Sequence, residues 1–296
     1  VDLSGWCREH LGAAPAEVLF EHRSISAVFG VRLADGREVV VKAREDEPRV
    51  AACVRAQTIL AERGFPCPKP ITPVIAGVHA EELRPGGEVL VGDSPDVAVR
   101  YAEVFGWLMR ELADVDEKPL PNPRWARWDH TDPGLWPAIP LLDERDQSTV
   151  PAFITEAAER VRERLRATTL PRVLGHADFE AQNLRWHGNT IWAVHDWDSL
   201  AWQPEAALAG AASGAFASTT PPTLASIESS AAFLAAYGRF TEEELEVAWA
   251  ASLWPALHNA RWEALHGDPP LCGTAVREQA AERLRRAGVD WRPPSS

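Results

Sequence analysis

From Leu174 to Asn183 the chain reads Leu-Gly-His176-Ala177-Asp178-Phe-Glu-Ala-Gln-Asn183, and a little later His195-Asp196-Trp197-Asp198. Leu184–Trp186 reads as a short strand, His187-Gly188-Asn189 as a tight turn and Thr190–Val194 as the return strand, which ends at Asp196. Such a ribbon holds Asp178 and Asn183 at one mouth and delivers Asp196 back to it. Two carboxylates and an amide then converge, an all-oxygen set that suits a hard cation such as Mg²⁺. Phosphoryl transfer to a hydroxyl needs this arrangement. One acid orients the attacking hydroxyl and accepts its proton, while an amide and a second carboxylate hold the cation on the phosphates. The same stretch allows a second chemistry, in which His176, Asp178, His195 and Asp196 ligate the metals of a phosphohydrolase. Alternation along Ile191–His195 turns His195 away from Asp196, and that reading leaves Asn183 without a task.

A cation must face this cluster from elsewhere in the chain. Lys42 closes the run Val39-Val40-Val41, and a lysine at the end of a β-run can hold α- and β-phosphates as a point charge. Ser24 to Val31 alternates apolar and polar residues, and Asp35-Gly36 supplies the turn of a hairpin. The pattern predicts a helix over Pro48–Arg63 with Gly64 as its stop, an extended connector through Pro66, Pro68, Pro70 and Pro73, and a short strand over Ile71–Val78. Glu81 to Gly87 is a break in composition. Beyond it, helices are predicted over 97–115, 152–166, 205–217, 223–238, 242–266 and 274–287, while 119–147 is rich in Pro and Trp and resists assignment. The expected architecture is α+β in two unequal lobes. Residues 1–83 form a small β-rich nucleotide-binding lobe with one helix, the hinge lies at about 80–87, and 84–296 form a larger, mainly helical catalytic and substrate-binding lobe.

The catalytic loop of kinases is H-R-D-x-x-x-x-N, followed by a metal-binding Asp in D-F-G. Here the loop is H-A-D-F-E-A-Q-N and the later Asp lies in D-W-D. The block resembles the aminoglycoside phosphotransferase family, small-molecule kinases with a protein-kinase-like fold. In that family the middle loop residue is usually small, as Ala177 is, and the metal Asp follows an apolar strand and precedes an aromatic residue, as Asp196 does. The resemblance covers most of the chain in outline and is specific over 174–198. It implies Asp178 as the base, Asn183 and Asp196 as Mg²⁺ ligands, His176 as a brace of the loop and Lys42 as the phosphate grip. It further implies ATP or GTP as donor and a hydroxyl of an aminoglycoside, an amino sugar, a choline-like compound or a related metabolite as acceptor.

The chain departs from the kinase pattern in two places. Kinases pair the lysine with a glutamate on the next helix, and none lies between Pro48 and Ala61. The expectation is that Gln57 holds Lys42 through a neutral hydrogen bond, that Glu47 reaches in, or that the helix is arranged differently. No G-x-G-x-x-G precedes Lys42, and Ser24 and Ser26 take that place as donors to phosphate oxygens. The resemblance puts the adenine-reading hinge at Glu81 to Leu83, where main-chain groups do the reading. A non-catalytic nucleotide-binding pseudokinase is a further reading, motivated by the missing glutamate and opposed by the full set Lys42, Asp178, Asn183 and Asp196. A protein kinase does not fit, since six residues separate Asp198 from Glu205 and no A-P-E follows.

The acceptor is expected beside Asp178, among residues after the second Asp and on the C-terminal helices. Asp198, Trp202 and Glu205 are candidates, as are Trp254, His258 and Glu263. Acidic side chains there bind amines, and aromatic faces stack on sugars or quaternary ammonium groups.

Composition narrows the classes. The 296 residues are 46% hydrophobic and 25% charged, an ordinary globular balance. Acidic residues outnumber basic ones 43 to 30, for a net charge of −13, which argues against nucleic-acid binding as the main activity and suits cationic or neutral small ligands. The 13 tryptophans against 2 tyrosines suggest an aromatic-rich core or pocket. Cys7, Cys53, Cys67 and Cys272 form no C-x-x-C pair and read as reduced thiols. No apolar run is long enough for a membrane helix, and the N-terminal residues lack a signal-peptide pattern, so a cytoplasmic protein without a membrane partner is expected. No sequence feature indicates an oligomeric state.

Overall fold

The computed structural model describes residues 2–23, 26–44, 48–117 and 120–292. The first element is a helix, α1 (Leu3–Leu11), started by Asp2, whose carboxylate accepts the Gly5 N–H at 3.0 Å, and ended by Gly12 in the left-handed conformation. The β-rich reading of the first stretch had no place for this helix. It is short, and only Cys7 and Leu11 are fully buried.

An antiparallel sheet comes next, with β1 (Pro15–Arg23), β2 (Ala27–Leu33), β3 (Glu38–Ala43) and, after the helix α2 (Pro48–Glu62), β4 (Val78–Glu82), in the order β1-β2-β3-β4. The Asp35-Gly36 turn joins β2 to β3, and Gly36 takes φ +89°, a value that favours glycine. Strand β4 begins where the predicted strand over Ile71–Val78 was to end. Pro70 and Pro73 cannot donate to a ladder, and Ala76 and Gly77 turn the chain through positive φ before it can pair with β3.

Residues 83–94 are irregular, but they are tied to the ribbon over 184–194. Glu88 and Trp186 exchange two main-chain hydrogen bonds of 2.8 Å, and the Trp192 indole donates to Pro85 O at 3.0 Å. Then come α3 (Pro95–Leu112), α4 (Pro140–Asp143), α5 (Ala152–Ala167), β5 (Arg172–His176), β6 (Leu184–His187), β7 (Thr190–Val194), β8 (Leu200–Pro204), α6 (Glu205–Ala215), α7 (Ile227–Tyr237), α8 (Glu242–Ala251), α9 (Trp254–His266) and α10 (Leu271–Arg286). The stretch predicted as one helix over 242–266 is two helices. Pro255 lies in the first turn of α9, where its missing N–H costs nothing, and the chain breaks just before it. None of the described helices is long and apolar enough to cross a membrane.

The apolar interior falls into two clusters. The sheet packs its own small core from Cys7, Leu11, Phe29, Val31, Leu33, Val39, Val41, Val78 and Ala80. The second core is far larger and is built by the helices after α2 and by β5–β8. Helix α2 contributes Ala52, Cys53, Ala56 and Leu60 to this larger core rather than to the sheet's. The expected α+β form, a small N-terminal sheet and a larger helical part, is the form the chain takes, with α1 as a second N-terminal helix beside the one expected.

Candidate active site

Strand β5 ends at His176, and the imidazole holds the loop beyond it. Its Nδ1 accepts the Asp178 N–H at 3.2 Å, and its Nε2 donates to His195 O at 3.1 Å. Burial keeps the ring neutral by lowering its pKa. With both nitrogens engaged by main chain, His176 has no lone pair for a metal, which removes it from the phosphohydrolase ligand set. Among the described residues no three His, Cys, Asp or Glu side chains gather as a metal site of that kind.

The loop closes on itself through Asn183. Its amide N–H₂ donates to Asp178 O at 3.0 Å and to the Asp178 carboxylate at 2.9 Å, leaving its amide oxygen as an acceptor. The Asn183 carbonyl accepts the His195 N–H at 2.8 Å, just beyond the Leu184–Val194 pair that opens the β6–β7 ribbon. The ribbon thus brings the residue before Asp196 against Asn183. Asp196 takes φ 60° and ψ 49°, a left-handed conformation uncommon outside glycine. Ser199 steadies it, with its hydroxyl donating to Asp196 Oδ2 at 2.5 Å and its N–H to Asp196 O at 3.0 Å.

Asp178 and Asp196 are near enough for their charges to act on each other, and their environments push them in opposite directions. Burial raises the Asp178 carboxyl well above the ordinary range, helped by the charges of Glu180 and Asp196. Burial also acts on Asp196, but the Ser199 hydroxyl, Lys42, His176 and Arg44 together outweigh it and hold that carboxyl below its usual value. Two pressed carboxylates and an amide oxygen form an all-oxygen donor set with excess negative charge, which fits Mg²⁺.

Lys42 faces this cluster from β3, near enough for its charge to act on Asp196. Its ammonium pairs with Glu81 of β4 at 2.8 Å, and both side chains are buried. Gln57 does not hold the lysine. Its Nε2 donates to Glu81 at 3.0 Å and to Pro68 O at 2.7 Å, so α2 grips the partner of Lys42 rather than Lys42 itself. Glu47 lies outside the described residues, as does Ser24. Ser26 sits half-buried at the bend before β2.

Glu81 and Leu83, expected at the hinge, lie at the end of β4 and just past it. Glu81 is inside β4, paired to Val40, with its side chain on Lys42. The Glu82 N–H donates to Lys69 O and the Leu83 N–H to Glu38 O. Both N–H groups are therefore engaged by neighbouring main chain.

The acceptor candidates separate into those near the loop and those used elsewhere. Asp198 is buried and ion-paired to Arg44, which leaves β3 two residues after Lys42. Glu205 opens α6 and accepts from the Tyr237 hydroxyl, in a groove with Arg110, Arg239 and Glu244. Glu263 accepts the Cys272 and Gly273 N–H groups at 2.7 and 2.9 Å and so caps the start of α10. Trp202 is half-buried in β8, its N–H donating to Asn122 at 2.6 Å. Trp254 lines a small cavity with Ala177, Trp125, Trp128, Gln203 and Pro255. His258 is buried one turn further on, and both it and Trp254 pack against the Trp136 ring. Burial takes the His258 pKa down to about 4, so the ring is neutral.

The sequence reading missed Arg44, Glu180 and the tryptophans of 119–147. Arg44 carried one legible signal, its place just past Lys42 at a strand exit. Glu180 sits inside the H-A-D-F-E-A-Q-N loop, where nothing in the spacing distinguishes it from a solvated acid.

The model of the phosphotransferase enzyme family matches residues 18–247, most of the chain. The chain belongs to that family. No curated protein matches it by sequence. Among solved structures, amicoumacin kinase hAmiN in complex with AMP-PNP, Ca²⁺ and Ami superposes with a TM-score of 0.66 at 12% identity, over 97% of this chain and 94% of that one. Macrolide 2′-phosphotransferase MphH from Brachybacterium faecium gives 0.56 at 17%, over 99% and 98%. A choline/ethanolamine kinase family protein from Mesorhizobium loti gives 0.54 at 18%, over 97% and 94%. At such identities the likeness is one of fold. The phosphotransferase family match covers the sheet from β1 onward, the H-A-D-F-E-A-Q-N loop and the D-W-D turn.

Proposed function

We propose that the protein transfers the γ-phosphate of ATP, or of GTP, to a hydroxyl of a small molecule. The observation that carries this reading is the meeting of Asp178, Asn183 and Asp196 at the mouth of one ribbon, with Lys42 facing them from the sheet. Lys42, fixed by Glu81, binds phosphate oxygens as a point charge. Asn183 and Asp196 would hold Mg²⁺, which supplies positive charge to the phosphate oxygens and relieves the carboxylate pair. Asp178 orients the acceptor hydroxyl and takes its proton as the new O–P bond forms and the bond to the leaving diphosphate breaks. His176 and Asn183 keep the Asp178 main chain and carboxylate in place. Catalysis by these residues is positioning and charge neutralisation.

The wall beside Ala177 is aromatic, with Trp125, Trp128 and Trp254 around a cavity of about 20 Å³ that has room for about one water, while Asp198, Glu205 and Glu263 already have partners. This aromatic wall supports an acceptor that presents an apolar face. The names of the structural neighbours, an amicoumacin kinase and a macrolide phosphotransferase, are in keeping with such acceptors.

The test is ADP release with Mg-ATP across a panel of ring-bearing neutral alcohols, aminoglycosides and quaternary ammonium alcohols. The expected result is one phosphorylated acceptor per ADP for members of the first group. Release of phosphate from esters without any nucleotide would contradict the proposal and point to a hydrolase.

A further inference from the structure

The two halves of the site rest on different cores. Lys42 and Glu81 belong to the sheet, with its small apolar cluster. Asp178, Asn183 and Asp196 belong to segments packed in the larger one. The Lys42–Glu81 pair joins neighbouring strands of one sheet, so it leaves the relation of the two halves open.

One charged contact spans that gap at the site. The Arg44 guanidinium leaves the end of the Lys42 strand and pairs with Asp198, two residues after Asp196. Both side chains are buried or nearly so, at 13% and 9% exposure, and the Arg44 N–H is fixed to Gly77 O at 3.0 Å. The turn that receives Arg44 is also held from α2, where Arg49 donates to Leu200 O at 2.8 Å and to Pro121 O at 2.9 Å. A buried pair of this kind is weak as a source of stability, because desolvation offsets its attraction, but it is directional and fixes a register.

We infer that Arg44 is a positioning residue whose pair with Asp198 sets the Lys42 side of the site against the Asp196 side. This rests on the phosphotransferase reading, in which one nucleotide must be held by Lys42 and, through its cation, by Asp196. Asp198 is accordingly a structural anchor of the turn and not an amine-binding acid. Metal-free nucleotide needs only the Lys42 side, whereas a cation held by Asp196 strengthens that binding only when the two halves are in this placement, so the pairing supports the help that Mg²⁺ gives to nucleotide binding.

The test measures that mutual help rather than turnover. AMP-PNP affinity is determined by calorimetry with and without Mg²⁺ for the wild-type protein, Arg44→Met and Asp198→Asn. The expected result is that metal-free affinity stays within about twofold in the variants, while the strengthening produced by Mg²⁺ shrinks about tenfold or more. Full strengthening in either variant, or an equal loss with and without Mg²⁺, would overturn the inference. Should a single variant fail to fold, Arg44→Met/Asp198→Leu, which leaves no unpaired buried charge, is judged by the same two criteria. A wild-type protein that binds no AMP-PNP, or gains nothing from Mg²⁺, counts instead against the phosphotransferase reading itself.

Discussion

The Lys42 ammonium lies 2.8 Å from the Glu81 carboxylate, and the two sit on adjacent strands of the same sheet. Glu81 is held on its other oxygen by Gln57 at 3.0 Å and is 2% exposed. The Lys42 side chain is thereby aimed from within the sheet, by a partner on the neighbouring strand. Burial alone would raise the Glu81 carboxyl, but Lys42 and Gln57 prevail and hold it below its usual value.

Glu81→Gln should therefore cost about 3 kcal/mol at neutral pH, since it leaves the Lys42 charge buried without its partner. The folded pKa is depressed, so this stabilisation is present above the unfolded carboxylate value and fades as pH falls through the folded one. Urea unfolding should show a wide gap between wild type and variant at pH 7 and a narrow one at about pH 3. An equal gap at both pH values would show that the charge on Glu81 is not what stabilises.

Glu180 behaves in the opposite sense. Burial raises its carboxyl to about 7 from an ordinary value of 4.5; the Asp196 charge adds to the rise and the hydrogen bond from Gln182 opposes it. Between those values the folded chain keeps a proton that the unfolded chain has released, so stability declines as pH rises across the window. Glu180→Gln removes the decline. Relative to wild type, the variant should gain about 1–3 kcal/mol on going from pH 5 to pH 8. Thermal unfolding that changes identically with pH in both proteins would contradict this.

Helix α6, which carries Glu205 away from β8, lies main chain to main chain against α8. A Cβ on Gly210 would sit 2.1 Å from Ala248 O, and one on Gly214 2.2 Å from Ser252 O. The glycines are one turn apart and form a contact stripe. Gly210→Ala should destabilise by about 1–3 kcal/mol through overpacking, although alanine is the better helix former. A stabilised variant in denaturant unfolding would refute the close approach.

Much of this architecture was legible in the sequence, and the reasons differ by residue. The β6–β7 ribbon is dictated by alternation around the His187-Gly188-Asn189 turn, and the ribbon in turn places Asp178, Asn183 and Asp196. Helix α3 was readable because its apolar residues recur on one face. Glu81 was not readable as the partner of Lys42, because a strand pairing 39 residues away leaves no local trace; only the absence of a glutamate between Pro48 and Ala61 signalled that something was displaced. The same holds for Arg44 and Asp198, whose meeting depends on how sheet and helices pack. Residues 119–147 lack periodicity because their short helical turns are held by particular hydrogen bonds, such as those from Arg162 to Trp128 O and Gly134 O.

The central claim is that Asp178 takes the acceptor proton while other residues hold the nucleotide. The direct measurement compares wild type and Asp178→Asn, reading phosphoryl transfer to an accepted alcohol alongside Mg-AMP-PNP affinity. The account predicts a fall in kcat of about 10²–10⁴-fold with nucleotide affinity changed less than about threefold. Undiminished transfer in Asp178→Asn would contradict it.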